Sequence, residues 1–219
     1  MSSIFDIMGP IIIGPSSSHT AGAVKLGRLA RLIFDDEIEE AEIGLHGSFA
    51  STGKGHGTDK ALVGGLLGFK PDDVRIREAL ELAEDNGVKI NFNNIKLPDA
   101  HPNSVQITMK NEKNELTIIG SSIGGGNVKV TKIEDYKVDI TGSLPTIWLI
   151  HEDKPGMVGL ITSILGSYNL NIAFMQDFRR IKGTVASAII ELDQEVSKYT
   201  INHLKNTNNI EKVRYIPAL

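Results

Sequence analysis

With 219 residues, 41% hydrophobic and 23% charged, the chain has the composition of a soluble globular protein and room for two small domains. A formal net charge of −4 and the lack of any Lys/Arg-rich run argue against nucleic acid or anionic membrane as the main partner. There is no cysteine, which excludes disulfides and thiolate metal ligands. Apolar runs are far too short to span a bilayer, and the start lacks the basic-then-apolar pattern of a secretory signal, so the cytoplasm is the expected compartment.

The segment SIFDIMGPIII reads as an opening strand that leads into the turn GPSSSHTAG. Apolar residues at Ala23, Leu26, Ala30 and Ile33 predict a helix over about Ala21 to Phe34. Ser16, Ser17, Ser18 and Thr20 crowd the start of that helix, where backbone N–H groups lack intrahelical partners. Hydroxyls there can cap the helix or help hold a carboxylate or phosphate. His19 adds a group that moves a proton near neutral pH. A strand over Ala41 to His46 would deliver His46 to a strand end, and a glycine-rich loop from Gly47 to Gly57 would carry His56. Thr58 and Asp59 read as N-caps of DKALVGGLLG, and Pro71-Asp72-Asp73 starts a helix stopped by Asn86-Gly87.

From Val88 the pattern turns to strands: VKINFN, SVQITMK, LTIIGSS and NVKVTKI, with Gly124-Gly125-Gly126 as a hairpin turn or bulge. Only four of the 22 glycines lie after Thr146, and the turn cluster Gly142 to Pro145 reads as a joint between two domains, 1–144 and 145–219. The second half runs strand IWLIH, helix GMVGLITSILGSYN, strand NIAFMQDFRR, a hairpin at Lys182-Gly183, strand TVASAII, a helix over Val196 to Lys205 and strand EKVRYI. That order is the ferredoxin-like βαββαβ arrangement, so the fold class expected is α+β in both halves.

Four histidines, His19, His46, His56 and His101, fall in turns or at strand ends of the first half. His101, in DAHPN, reads as a loop-ordering group. His19 and His56, flanked by hydroxyls and glycines, read as acid–base candidates, with His46 between the two cases. No HxxxH or HxH pair appears, so no metal site is expected on this chain. Ser48 lacks a GxSxG context, and Lys54 lacks the phosphate-loop pattern, which leaves it a loop charge. In the second half the turn from His151 through Asp153 to Pro155 and Gly156 opens a helix, which makes either a plain strand-to-helix turn or an anion site.

GPSSSHTAG followed by LHGSFASTGKGHGTDKA resembles the beta subunits of the two-subunit, iron–sulfur-dependent L-serine dehydratases, and the similarity runs the length of the chain. HEDKPGMVGLITSILGSYNLNIAFMQ resembles the ACT domain, an amino-acid-sensing module that commonly self-associates. The resemblance implies an N-terminal allosteric-substrate-binding-like domain followed by an ACT domain. It also implies conversion of L-serine to pyruvate and ammonia with a 4Fe–4S cluster. Such clusters are held by thiolates, so a separate cysteine-containing alpha subunit would carry it. Ser16, Ser17, Ser18, His19, Thr20, His46 and His56 would then face that subunit's cleft. In the serine-sensing ACT domain of D-3-phosphoglycerate dehydrogenase the matching turn supplies a His and an Asn. Here His151 matches, Asp153 replaces the Asn, and Asn171 fits a later position on a facing copy; with Gly156 these form the expected effector site. The alternative is a regulatory protein, combining substrate-sensing and ACT domains, with no share in an active site.

Overall fold

The computed structural model describes residues 13–179 and 182–219. All but the last residue of the expected opening strand lie outside the described residues. The chain forms two compact units, one ending at Asp135 and one running Tyr136–Leu219.

The first unit begins with a π-helical turn, Ser17–Gly22, that runs into helix α1 (Ala23–Phe34). Strand β1 (Glu40–Leu45), helices α2 (Ser48–His56) and α3 (Thr58–Leu66), a 3-10 helix (Val74–Glu78), helix α4 (Ala79–Asp85) and strands β2 (Lys89–Asn94), β3 (Ser104–Lys110), β4 (Glu115–Gly124) and β5 (Asn127–Ile133) follow. The strand order is β2-β1-β3-β4-β5. β1 and β2 are parallel, because a crossover of three helices joins them, and the remaining pairs are antiparallel. Leu26, Leu29, Ile33 and Phe34 give α1 a fully buried face, and Asp35 ends it in a left-handed C-cap with φ 54°.

Two local readings of the sequence are corrected. The stretch Gly47 to Gly57 is not a loop: it holds α2. Gly47, at φ 57° and ψ −122°, turns the chain out of β1, and the Ser51 N–H closes the first turn on the Gly47 carbonyl at 3.1 Å. Phe49 and Gly53, four apart, bury one side of the helix, so tertiary packing overrides the poor helix propensity of Ser, Thr and Gly. Nor do Thr58 and Asp59 cap α3, which starts from Gly57 (φ 70°) with no side-chain cap; Thr58 is buried. Gly124, Gly125 and Gly126 make the expected hairpin, with φ of 106°, 60° and 76°.

The second unit opens with β6 (Tyr136–Ile140), a strand the sequence reading did not mark. It continues with β7 (Thr146–Glu152), α5 (Met157–Ser167), β8 (Ile172–Arg179), β9 (Val185–Leu192), α6 (Lys198–Lys205) and β10 (Ile210–Ile216). The order β10-β7-β9-β8, antiparallel throughout, is the ferredoxin-like topology read from the sequence. Ile147 and Leu149 of β7 meet Ile161 and Leu165 of α5 and Leu204 of α6 in its core. Trp148 is fully buried and donates its indole N–H to Ser187 Oγ at 2.9 Å. No helix among the described residues is long and apolar enough to cross a membrane.

Beside this core the Tyr215 hydroxyl donates to Glu195 and accepts the Val196 N–H at 3.3 Å. Burial, then the bond to Glu195, push its phenol up to about 12. A phenol raised above its ordinary value near 10 contributes stability that is intact below pH 10 and lost as the pH climbs through 12. The expected result is that the stability advantage of the native chain over Tyr215→Phe, measured by urea unfolding, shrinks between pH 10 and 12. A difference that stays flat across that window would show the pair to be unimportant.

Candidate active site around His19

The π-helical turn sets His19 in place. Ser16, extended at φ −141°, caps the turn by accepting the His19 N–H on its Oγ at 3.2 Å, and its carbonyl takes the Thr20 N–H at 2.8 Å. Facing His19 is α2, on which Ser48, Thr52 and His56 recur every fourth residue and so share one face. His19 Nε2 lies 3.3 Å from Ser48 Oγ and 3.2 Å from Thr52 Oγ1, and the two hydroxyls are 3.2 Å apart. The His19 ring stands edge-on to Phe49, with centroids 5.3 Å apart, and tilted against His56 at 5.0 Å.

Hydrogen-bond accounting assigns the donors. The Thr52 hydroxyl proton is committed to the Ser48 carbonyl at 2.8 Å, and His56 Nδ1 donates to the Thr52 carbonyl at 2.9 Å. The Ser48 hydroxyl is therefore the one that can donate to a neutral His19 Nε2. Burial, then the neighbouring His56 imidazole, hold His19 below the ordinary histidine value, while an interaction with the Ser48 backbone pulls the other way. A neutral imidazole against a hydroxyl, with a second imidazole beside it, is a proton-transfer arrangement.

The structure brings together His19, His56 and the Ser16 to Thr20 turn, but it uses His46 differently. His46 sits at the end of β1 with its Nδ1 accepting the Leu97 N–H at 3.1 Å, which ties two loops together. His101 accepts the Asn103 N–H at 3.1 Å, the loop-ordering role expected of it. Ser17 and Ser18 are half-buried in the turn, whereas Thr20 is buried. Ser48 and Thr52 were absent from the site read in the sequence. The signal was present as Ser-x3-Thr-x3-His, hidden by the assumption of a loop.

Comparison with known proteins identifies the family. A family model described as "Serine dehydratase beta chain" matches residues 3–87, which hold His19, Ser48, Thr52 and His56. Over 98% of the chain, and 97% of the relative, there is 41% identity to a protein of Bacillus subtilis named "Probable L-serine dehydratase, beta chain". The chain belongs to the serine dehydratase beta chain family. A second member, the "L-serine dehydratase, beta chain" of Peptoniphilus asaccharolyticus, is 38% identical over the same 98% of the chain and 97% of its own length. The chain is also similar, at 23% identity over 89% of its length, to 37% of a D-3-phosphoglycerate dehydrogenase of Bacillus subtilis. These relatives and the topology together fit an allosteric-substrate-binding-like unit followed by an ACT unit.

In the second unit His151 and Asp153 line a cavity of about 390 Å3 at the start of α5, with Gly156, at φ 91°, as the helix N-cap. His151 is 2% exposed; its Nδ1 bonds the Glu152 carbonyl at 2.8 Å, and its Nε2 is 3.4 Å from Asp177 Oδ1. Asp153 accepts the Gly183 N–H at 2.8 Å and lies 3.4 Å from Arg179 Nε. Asn171 does not line that cavity; its side-chain amide donates to Asp193 and its N–H to Gln194 Oε1 at 3.0 Å. Back in the first unit, the opposite face of α2 carries Ala50 and Lys54, which line a separate cavity of about 860 Å3 floored by Leu45, Ile90 and Phe92. Lys54 thus lies away from the His19 side of the helix.

Proposed function

We propose that the chain is the beta subunit of an L-serine dehydratase that yields pyruvate and ammonia, and that it completes an active site whose 4Fe–4S cluster sits on a separate alpha subunit. The donor set of this chain does not fit a cluster: it has no cysteine, and among the described residues no three His, Asp or Glu side chains gather at metal-binding distance. Held by the partner, the cluster would supply a Lewis acid for the departing hydroxyl.

The observation that carries the reading is His19 Nε2 set against Ser48 and Thr52, beside His56, in a member of this family. The reaction removes the Cα proton and the β-hydroxyl of serine; the aminoacrylate so formed tautomerises and hydrolyses. His19, kept neutral, accepts or returns a proton at Nε2, and the Ser48 hydroxyl relays it. The hydroxyls of Ser16, Ser17, Ser18 and Thr20 orient the substrate, His56 supports His19, and His46 fixes the loop beside them. The test is reconstitution with the cysteine-bearing subunit. Pyruvate should form from L-serine only when both chains are present. Turnover by this chain alone in strong chelator would sink the proposal.

The ACT unit takes an amino-acid effector through His151, Asp153 and Gly156, with Asn171 contributed by a second copy. Because Asp153 already faces Arg179 and the Gly183 N–H, the ligand would enter against Arg179. Calorimetric titration with L-serine should give a heat that His151→Ala abolishes; an unchanged heat would remove the effector role.

A further inference from the structure

We infer that Lys60 and Thr20 form a carboxylate-binding pocket beside the proton-transfer site, an assignment that rests on the function proposed above. Next to His56 lies a cavity of about 210 Å3, lined by Thr20, His56 and Lys60 together with Arg77 and Ile76. Three features give it a ligand class. Its charged lining, among the described residues, is cationic: Lys60 and Arg77, with no carboxylate. Lys60 makes no ion pair among the described residues. Its ammonium donates to the Arg77 carbonyl at 2.8 Å, and that bond fixes the group while two of its three N–H donors stay available. Thr20 is 2% exposed, and its Oγ1 is buried with no hydrogen-bond partner.

A buried hydroxyl without a partner costs free energy, so its persistence in a cavity wall is explained when a ligand supplies an acceptor. A carboxylate is such an acceptor, and an ammonium fixed through a backbone carbonyl provides its counter-charge. His56 lines the cavity and also contacts the His19 ring, so a small acid held here lies beside His56, one residue removed from His19. The ligand class is thus a small α-substituted monocarboxylate, and Lys60 acts on binding more than on the chemical step.

The experiment uses the reconstituted two-chain enzyme and, separately, the chain alone. In the enzyme, Lys60→Met should raise KM for L-serine about 10- to 100-fold with kcat within threefold, and Lys60→Arg should recover most of the loss. Inhibition by L-serinamide, which lacks the carboxylate, should be the same in native and Lys60→Met enzyme. In the chain alone, acetate should shift the His56 Cε1–H resonance saturably, and not in Lys60→Met. A KM within twofold of native, or equal weakening toward L-serinamide, overturns the pocket. If the native pair makes no pyruvate while acetate still titrates His56 through Lys60, the function proposed above fails and the pocket stands. Absence of any acetate response in the native chain counts against the pocket itself.

Discussion

His19→Gln should lower kcat/KM for L-serine by about 10²- to 10⁴-fold in the reconstituted enzyme, the range that a positioned acid–base group contributes. Gln keeps a polar group near Ser48 and Thr52, so association with the partner should be unchanged by size-exclusion chromatography. The pH profile separates proton transfer from mere packing. His19 titrates below its ordinary value of 6.5, so its base form survives into mildly acidic solution and the acid limb of kcat/KM should fall below pH 6.5. The sign for stability agrees. A depressed folded-state value means that the unfolded chain binds the proton more readily, so the contribution is whole above 6.5 and is lost as pH falls through the folded value. His19→Gln should therefore abolish that acid limb and flatten the acid side of the stability curve. Activity within threefold of native, with the limb intact, would remove His19 from the chemistry.

The two units differ in how openly the sequence displays them. In the second, IWLIH and TVASAII are apolar runs buried almost throughout, and the helical spacing of Met157, Ile161, Ile164 and Leu165 buries one face of α5, so local pattern and global topology agree. The first unit was harder because its site is built from residues with weak local preference. α2 carries Ser48, Ser51 and Thr52 ahead of Gly53 and Gly55, and exists because Phe49 is buried beneath it. The π-helical turn has no distinctive sequence pattern, yet it sets the His19 side chain facing α2. His19 and His56 were legible from their Ser and Gly neighbours. What sequence could not supply was which histidines meet: His46 looks equivalent in context but is spent on the Leu97 N–H. The pairing of β1 with β2 in parallel was likewise invisible, since a run of strands joined by turns suggests a simple meander.

The contact that aligns the two halves of the site is made by glycines, and disturbing it should give the largest loss of stability. α1 continues directly from the turn that holds His19; α3 follows α2 across Gly57. Where these helices cross, a Cβ on Gly65 would lie 2.2 Å from the Val24 carbonyl and 2.8 Å from Gly27 Cα, and a Cβ on Gly27 would lie 2.2 Å from the Leu62 carbonyl. Backbone atoms cannot move aside by changing rotamer, so Gly65→Ala must push the helices apart, at a cost of about 1–3 kcal/mol or more. The same displacement draws His19 away from Ser48 and Thr52, so activity should fall together with stability. Gly27→Ala should act alike, and the double variant should cost less than the sum, because helices already separated accommodate the second methyl. Gly166→Ala, where a Cβ meets nothing within 4 Å, is the control and should leave unfolding unchanged or slightly raise its midpoint. Urea unfolding followed by far-UV circular dichroism, with serine turnover measured on the same samples, checks both. If Gly65→Ala unfolds like the control while turnover collapses, the glycine pair positions His19 without supporting the fold. If both stay at native values, the close crossing of α1 and α3 has no part in building the site.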